Sequence, residues 1–186
     1  MRRLPIVAVL LVAGVSGCSA PPPAPAPSPA SSPALSPADS EAYHWVGEFC
    51  SGPSAALLAL KNTGYDAIPY AAMADATLAE RQKAQRDAEQ NLATLLTVVK
   101  SNAAHVSGAS PSPTRDRLTT VYTQLQDDLA RSRQRVTALS PAAAATFGPQ
   151  LETDARQVHT SFEAARQVLA AEPGTARFVR DHPVCS

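Results

Sequence analysis

Apolar residues recur at helical spacing through most of the chain from residue 36 to residue 171, and this pattern constrains the fold more than any other feature. The clearest example starts at Phe147, from which apolar positions follow at steps of three or four residues. They are Phe147, Leu151, Ala155, Val158, Phe162, Ala165 and Leu169. Such spacing gives a helix one apolar stripe, and no segment of the sequence shows the two-residue alternation of strands. The sequence therefore predicts an all-α domain.

Turn signals divide this region into four amphipathic helices. Ser36-Pro37 opens the first helix, Gly52-Pro53 is expected to kink it, and Asn62-Thr63-Gly64 ends it. The other predicted elements are helices over 71–106 and 113–139, a helix from Ser140-Pro141 to Glu172, and a short helical tail after Thr175. Four helices with short connections predict an up-down-up-down four-helix bundle with a kinked first helix and a short C-terminal tail.

The first 18 residues have the order of features found in an export signal. Arg2 and Arg3 precede an apolar run over 6–15, which is too short to span a bilayer as a permanent helix. Val15-Ser16-Gly17-Cys18 follows this run. The stretch resembles the lipobox of bacterial lipoproteins, and the resemblance covers about the first 20 residues. It implies cleavage before Cys18 and a diacylglycerol thioether, with palmitate-type acyl chains, on that cysteine. The alternative is an ordinary secretory signal with a chance cysteine.

A linker rich in proline, alanine and serine separates this signal from the helical region. Residues 20–38 contain only these three residue types, apart from Leu35. Such a segment cannot bury a core, and in a polyproline conformation it would reach roughly 60 Å. The expected organisation is a signal peptide over 1–17, a lipidated Cys18 with its linker over 18–37, and a bundle over 38–186. The composition resembles that of actinobacterial lipoproteins. The lipobox resemblance implies that the domain lies on the extracytoplasmic face of the cell membrane, held by the lipid on Cys18.

Two cysteines remain once Cys18 is assigned to lipidation. Cys50 lies in the first predicted helix and Cys185 in the tail. In an exported domain, two cysteines are expected to form one disulfide. The predicted topology supports this pairing, because the first helix begins at the end of the bundle where the fourth helix finishes.

The charge balance argues against a protein that binds nucleic acid. The chain has 16 Lys and Arg against 16 Asp and Glu, a formal net charge of zero. Binding through phosphates requires a surplus of positive charge on the protein. The sequence also contains no nucleophile elbow and no Gly-rich phosphate loop. We therefore expect a non-catalytic domain without a cofactor.

Up-down topology brings a set of tyrosines and arginines to the end of the bundle away from the linker. They are Tyr65, Tyr70, Arg81, Arg133 and Arg135. Tyr and Arg are the residue types that concentrate binding energy at interfaces, so this set is a candidate surface for a partner in the cell envelope. The alternative is solvated helix surface, on which acidic residues three and four positions away pair with the arginines.

A second possible function is a small-ligand or metal carrier that uses the same end of the bundle. A cavity there lined by Leu57, Leu60, Leu78 and Val136 would favour this function. Two pairs, His44 with Glu48 and His159 with Glu163, have the four-residue spacing of helix neighbours. However, the apolar stripe of the fourth helix turns Glu163 towards solvent, and no metal site is predicted.

Overall fold

The structure is a computed structural model that describes residues 36–60, 67–183 and 185. Cys18, the export signal and the linker up to Leu35 lie outside the described residues. Tyr65 and the helix end expected at 62–64 lie outside them as well. The backbone of Ala59 and Leu60 is described, but their side chains are not.

The described residues form helices and turns and contain no strand, which confirms the all-α prediction. The helices are α1 Pro37–Phe49, α2 Ala55–Leu60, α3 Leu78–Ser107, α4 Pro113–Ala138, α5 Ala144–Ala171 and α6 Ala176–Asp181. A π-helical turn, Cys50–Ser54, joins α1 to α2, and a 3-10 turn, Tyr70–Ala74, precedes α3. The first predicted helix therefore corresponds to α1, the π-turn and α2, and the predicted tail corresponds to α6.

The chain stays helical through Gly52-Pro53, where a kink was expected, by widening into the π-turn. Pro53 has no N–H to donate to the carbonyl four residues earlier, so regular α-helical bonding is impossible at this point. The Asn102 side chain compensates from α3 by donating to the Glu48 carbonyl at 3.1 Å. A Cβ on residue 52 would lie 2.6 Å from Asn102 Nδ2. Glycine at this position therefore leaves room for Asn102 beside the π-turn.

Two helices begin later than the sequence predicts. The second was expected from residue 71, but α3 starts after Thr77, whose side chain accepts from the Glu80 N–H while Glu80 bonds back to the Thr77 N–H. This capping box satisfies the first free amides of the helix and fixes its start. The fourth was expected from Ser140-Pro141, but turns occupy 140–143 and α5 begins at Ala144.

The long helices α3, α4 and α5 pack side by side, and α6 packs against both α1 and α5. The end of the bundle where α1 begins is called the proximal end. There Ser112 donates to Glu41 at 2.9 Å, and Arg177 pairs with Asp39 at 2.8 Å. The opposite end, formed by α2, the 3-10 turn, the start of α3 and the α4–α5 connection, is called the distal end. This arrangement is the predicted helical bundle.

A disulfide joins the π-turn to the C-terminal tail, as predicted. Cys50 and Cys185 are 135 positions apart in sequence, their Cα atoms are 5.5 Å apart, and both residues are buried. Phe178 and Val179 of α6 are buried as well. The Arg166 guanidinium donates to the Cys185 carbonyl at 3.0 Å. The tail is thus held to the bundle by a covalent bond, by apolar packing and by a hydrogen bond.

The buried core follows the predicted apolar stripes along the long helices, whereas Leu58 and Leu78 are exposed. The largest fully buried side chains include Phe49, Leu92, Tyr122, Leu125, Phe147, Leu151 and Leu169. Leu78, which the sequence places among the residues of a possible distal cavity, is 47% exposed. It occupies the first position of α3. Met73 from the 3-10 turn is buried at the distal end instead.

The 3-10 turn lies directly on α5, and Gly148 makes this contact possible. A Cβ on residue 148 would stand 2.2 Å from the Tyr70 carbonyl oxygen and 2.9 Å from the Cβ of Met73. Real Cβ atoms do not approach backbone oxygens so closely. Any side chain at this position must therefore push the turn away from α5.

We expect Gly148→Ala to lower the free energy of unfolding by about 1–3 kcal/mol, the usual cost of overpacking a well-filled core. Gly47→Ala is the matched control, since Gly47 lies in α1 and a Cβ there meets nothing within 4 Å. The control should raise stability by up to about 1 kcal/mol, because alanine is the better helix former. Urea denaturation of both variants checks this, and a neutral Gly148→Ala would contradict the close contact.

Candidate binding surface at the distal end

Arg81 is buried in the structure, although the sequence analysis placed it on the candidate surface. Only 8% of the residue is exposed. Its guanidinium donates to the carbonyls of Met73, Ala76 and Pro141, with Nε 2.5 Å from the Pro141 oxygen. Three backbone acceptors in two separate connections thereby share one cation. Arg81 stabilises the distal end from within and offers little surface to a partner.

Tyr70 is half-buried and belongs to the 3-10 turn that packs on α5. Its carbonyl lies against Gly148, so its backbone is fixed by the fold. Tyr65, the other tyrosine of the candidate surface, lies outside the described residues. The part of this surface that the structure presents to solvent therefore centres on Arg133 and Arg135, near the end of α4.

A buried polar group links α4 to α5 beside Arg135. Asp154 on α5 is 5% exposed, and it accepts hydrogen bonds from the Ser132 hydroxyl and from Arg135 Nε, the latter at 2.6 Å. Asp154 is not among the residues that the sequence assigns to the candidate surface. Its signal was its position, because it lies three residues after Leu151 and four before Val158 and so faces inward with them. A buried carboxylate needs such donors, since leaving it unpaired would be costly.

A groove lies between the end of α4 and the start of α5, and we call it the α4–α5 groove. Its volume is about 930 Å³. Apolar wall residues are Val136, Ala138, Leu139, Ala143, Ala145 and Pro149. Asp154 and Arg135 line it too, and its uncharged polar lining residues are Ser140, Thr146, Gln150, Thr153 and Gln157. The groove thus combines a mostly carbon surface with one charged pair.

Arg133 borders a second, smaller groove on the other side of α4. This groove has a volume of about 460 Å³ and is also lined by Leu96, Ala130 and Thr137. Ala138 lines both grooves, so they flank the same end of α4. The two arginines of the candidate surface therefore belong to two neighbouring depressions.

The cavity expected for a carrier differs in its lining from the observed grooves. Val136 does line the α4–α5 groove, but Leu57 and Leu78 do not line either groove. Leu78 is largely exposed at the start of α3, and the side chain of Leu60 lies outside the described part of the chain. The two observed depressions lie beside the end of α4 instead.

The two histidine–glutamate pairs do not converge on a common site. Arg166 and Gln167 both donate to Glu163, and the bonds from Arg166 hold the pKa of this carboxyl below its usual value. Glu48 lies near Asn102, with Oε2 3.4 Å from Nδ2. Within residues 36–60, 67–183 and 185, no three His, Cys, Asp or Glu side chains are grouped closely enough to hold a metal ion.

Tyr122 is a buried polar group inside the bundle, remote in sequence from the grooves. Its ring packs edge-on against Phe49, with centroids 6.1 Å apart. Its hydroxyl has no hydrogen-bond partner within the described residues, and burial raises the pKa of this phenol well above its usual value. The nearby Asn102 side chain offsets part of that rise. Tyr122 is fully enclosed and contributes to packing.

Comparison with known proteins identifies no relative. No protein-family model, no curated protein and no solved structure matches the chain. None of the helices in the part of the chain that the structure describes is long and apolar enough to cross a bilayer. The function must therefore be argued from the residues themselves.

Replacing Arg81 with leucine should destabilise the domain, because three backbone carbonyls would lose a charged donor. We expect the free energy of unfolding to fall by about 3 kcal/mol. Arg133→Leu removes the same charge from an exposed position and should change stability by less than about 0.5 kcal/mol. Thermal and urea unfolding of the two variants measure the difference, and equal effects would disprove the structural role of Arg81.

Proposed function

We propose that the chain is an exported bacterial lipoprotein whose helical domain binds an envelope component without catalysing a reaction. Acyl chains on Cys18 anchor it to the outer face of the cell membrane, and the linker holds the domain away from that surface. The N-terminal pattern supports the anchor, because a charged start, a short apolar run, two small residues and a cysteine occur in order. The buried Cys50–Cys185 disulfide is consistent with an oxidising compartment.

One structural observation carries the binding role: two grooves flank the exposed end of α4 at the distal end. Arg133 borders one and Arg135 borders the other. The domain attaches to its linker at the opposite end, where α1 begins at Pro37.

The volume of the α4–α5 groove also supports a small-ligand carrier as a second function. At about 930 Å³ it falls within the range of ligand pockets, which is about 300–1,000 Å³. Its lining is mostly apolar with a few polar groups, as such pockets require. A carrier and a protein-binding domain share the anchor and differ in what occupies the distal end.

The anchor is tested by Cys18→Ser in the native bacterium. Each buried methylene of an acyl chain contributes about 0.8 kcal/mol, so two or three chains hold the protein firmly in the membrane. We expect the wild-type chain in the detergent-soluble membrane fraction and the variant in the soluble or secreted fraction. Mass spectrometry should find the mature chain beginning at an acylated Cys18. An unmodified Cys18 in membrane-bound protein would refute the lipoprotein assignment.

The distal binding surface is tested by a photo-cross-linking amino acid at Thr137, which is exposed and lines the smaller groove. The matched control carries the same amino acid at Arg180, an exposed residue of α6. Irradiation of intact cells should give a defined adduct from position 137 that Arg133→Ala weakens. Equal adducts at both positions, or none at position 137, would argue against a distal binding surface.

A further inference from the structure

The α4–α5 groove has a mostly carbon-lined end near the α4–α5 connection, where Ser140 and Thr146 also line it, and an end further along α5 that holds the charged pair. We call them the apolar end and the polar end. Ala145 lies in the first turn of α5, and Gln157 lies twelve residues further along, so the lining extends over about 18 Å. Leu139, Ala143 and Pro149 supply carbon surface near the α4–α5 connection. The charged pair and Gln157 lie towards the other end. An occupant that matches this lining is elongated and amphiphilic.

The charged pair is oriented with its positive member outward. The carboxylate of Asp154 is 5% exposed and is directed into the bundle, where Ser132 and Arg135 donate to it. The Arg135 side chain is 49% exposed. Asp154 accepts a hydrogen bond from Arg135 Nε, whereas the terminal Nη atoms of Arg135 make no hydrogen bond to any residue that the structure describes. The group that an incoming ligand meets at the polar end is therefore a guanidinium edge with free donors.

The Nη donors of Arg135 are exposed, whereas the carboxylate of Asp154 is buried and already hydrogen-bonded. This arrangement favours a ligand with a negatively charged hydrogen-bond acceptor. A guanidinium binds carboxylate and phosphate oxygens through paired N–H donors, and such charge-assisted bonds are about twice as strong as neutral ones. A cationic head group would instead meet Arg135 and be repelled. The polar end thus selects an anion, and the apolar end selects a hydrocarbon chain.

We propose that the α4–α5 groove binds a single-chain anionic amphiphile, with its carboxylate or phosphate head on Arg135 and its chain along Leu139, Ala145 and Pro149. This inference rests on the proposed function only in taking the distal end as the binding surface, and it does not require acylation of Cys18. A fatty acid and a single-chain phospholipid share the required chemistry.

Binding is measured with the mature full chain carrying Cys18→Ser, so that no acyl chain of the protein competes. The probes are hexadecanoate, a hexadecyl lysophosphatidate, hexadecanol and hexadecyltrimethylammonium. Each is used in equilibrium dialysis below its micellar concentration or, for the alcohol, below its solubility limit. We expect saturable binding of one anionic molecule per chain, weaker binding of the alcohol and no binding of the cation. Tighter binding of hexadecanoate points to a fatty acid, and tighter binding of the lysophosphatidate points to a phospholipid.

Two variants with matched controls locate the site. Arg135→Gln should weaken anion binding about tenfold, the equivalent of one charge-assisted hydrogen bond, and leave hexadecanol binding unchanged. Its control is Arg156→Gln, a 71% exposed arginine on α5 that does not line the groove. Ala145→Trp should fill the groove and abolish binding of every probe, whereas Ala170→Trp, at another exposed position of α5, should not. Melting temperatures confirm that the variants fold.

The proposal is overturned if no anionic probe binds saturably, if the cation binds as well as the anions, or if folded Ala145→Trp still binds them. Anion binding that Arg135→Gln does not weaken would overturn it as well. These failures are separable from failure of the proposed function. If the distal cross-link forms in cells but no amphiphile binds, the proposed binding function is retained and only the proposed ligand class is wrong.

Discussion

The distal end of this bundle depends on one buried cation. Arg81 donates from the first turn of α3 to carbonyls of the segment before α3 and of the α4–α5 connection. Both connections would otherwise leave backbone acceptors facing the interior, where an unmade hydrogen bond costs about 1–3 kcal/mol. The α4–α5 connection, which borders the larger groove, is therefore tied to the start of α3 by an arginine that is almost wholly buried.

The same end shows how a charge can serve both stability and recognition. Asp154 is buried and accepts hydrogen bonds from Ser132 and Arg135 of α4, which ties the two helices together. Arg135 satisfies that carboxylate with one nitrogen and keeps the rest of its guanidinium at the surface. A pair with its negative member inside and its positive member outside gives an otherwise apolar groove a preference for anions, without leaving an unpaired charge in the core.

The C-terminal tail helps to hold the first helix in place, through the disulfide and through the packing of its apolar residues. These contacts matter in a chain that has few aromatic side chains to fill its core. α1 is short, and beyond it the chain passes through a π-turn at Pro53 that regular helical bonding cannot cross. Asn102 bonds to the backbone just before this turn, and the disulfide joins Cys50 to a tail whose Phe178 and Val179 are buried. Asn102 of α3 and Cys185 of the tail thus both hold the chain at the π-turn, where regular helical hydrogen bonding is interrupted.

The sequence by itself determined the helical class, the approximate extents of the long helices and the pairing of Cys50 with Cys185. These follow from local periodicity, from capping residues and from the small number of cysteines. Only the tertiary structure decided that Arg81 is buried while Arg135 is exposed, that Leu78 is left out of the core, and that a groove opens beside Asp154. The burial of Arg81 depends on where irregular backbone passes over a helix end, as the 3-10 turn also does at Gly148. Helical periodicity carries no information about such contacts, because they join residues far apart in sequence through backbone atoms that every residue shares.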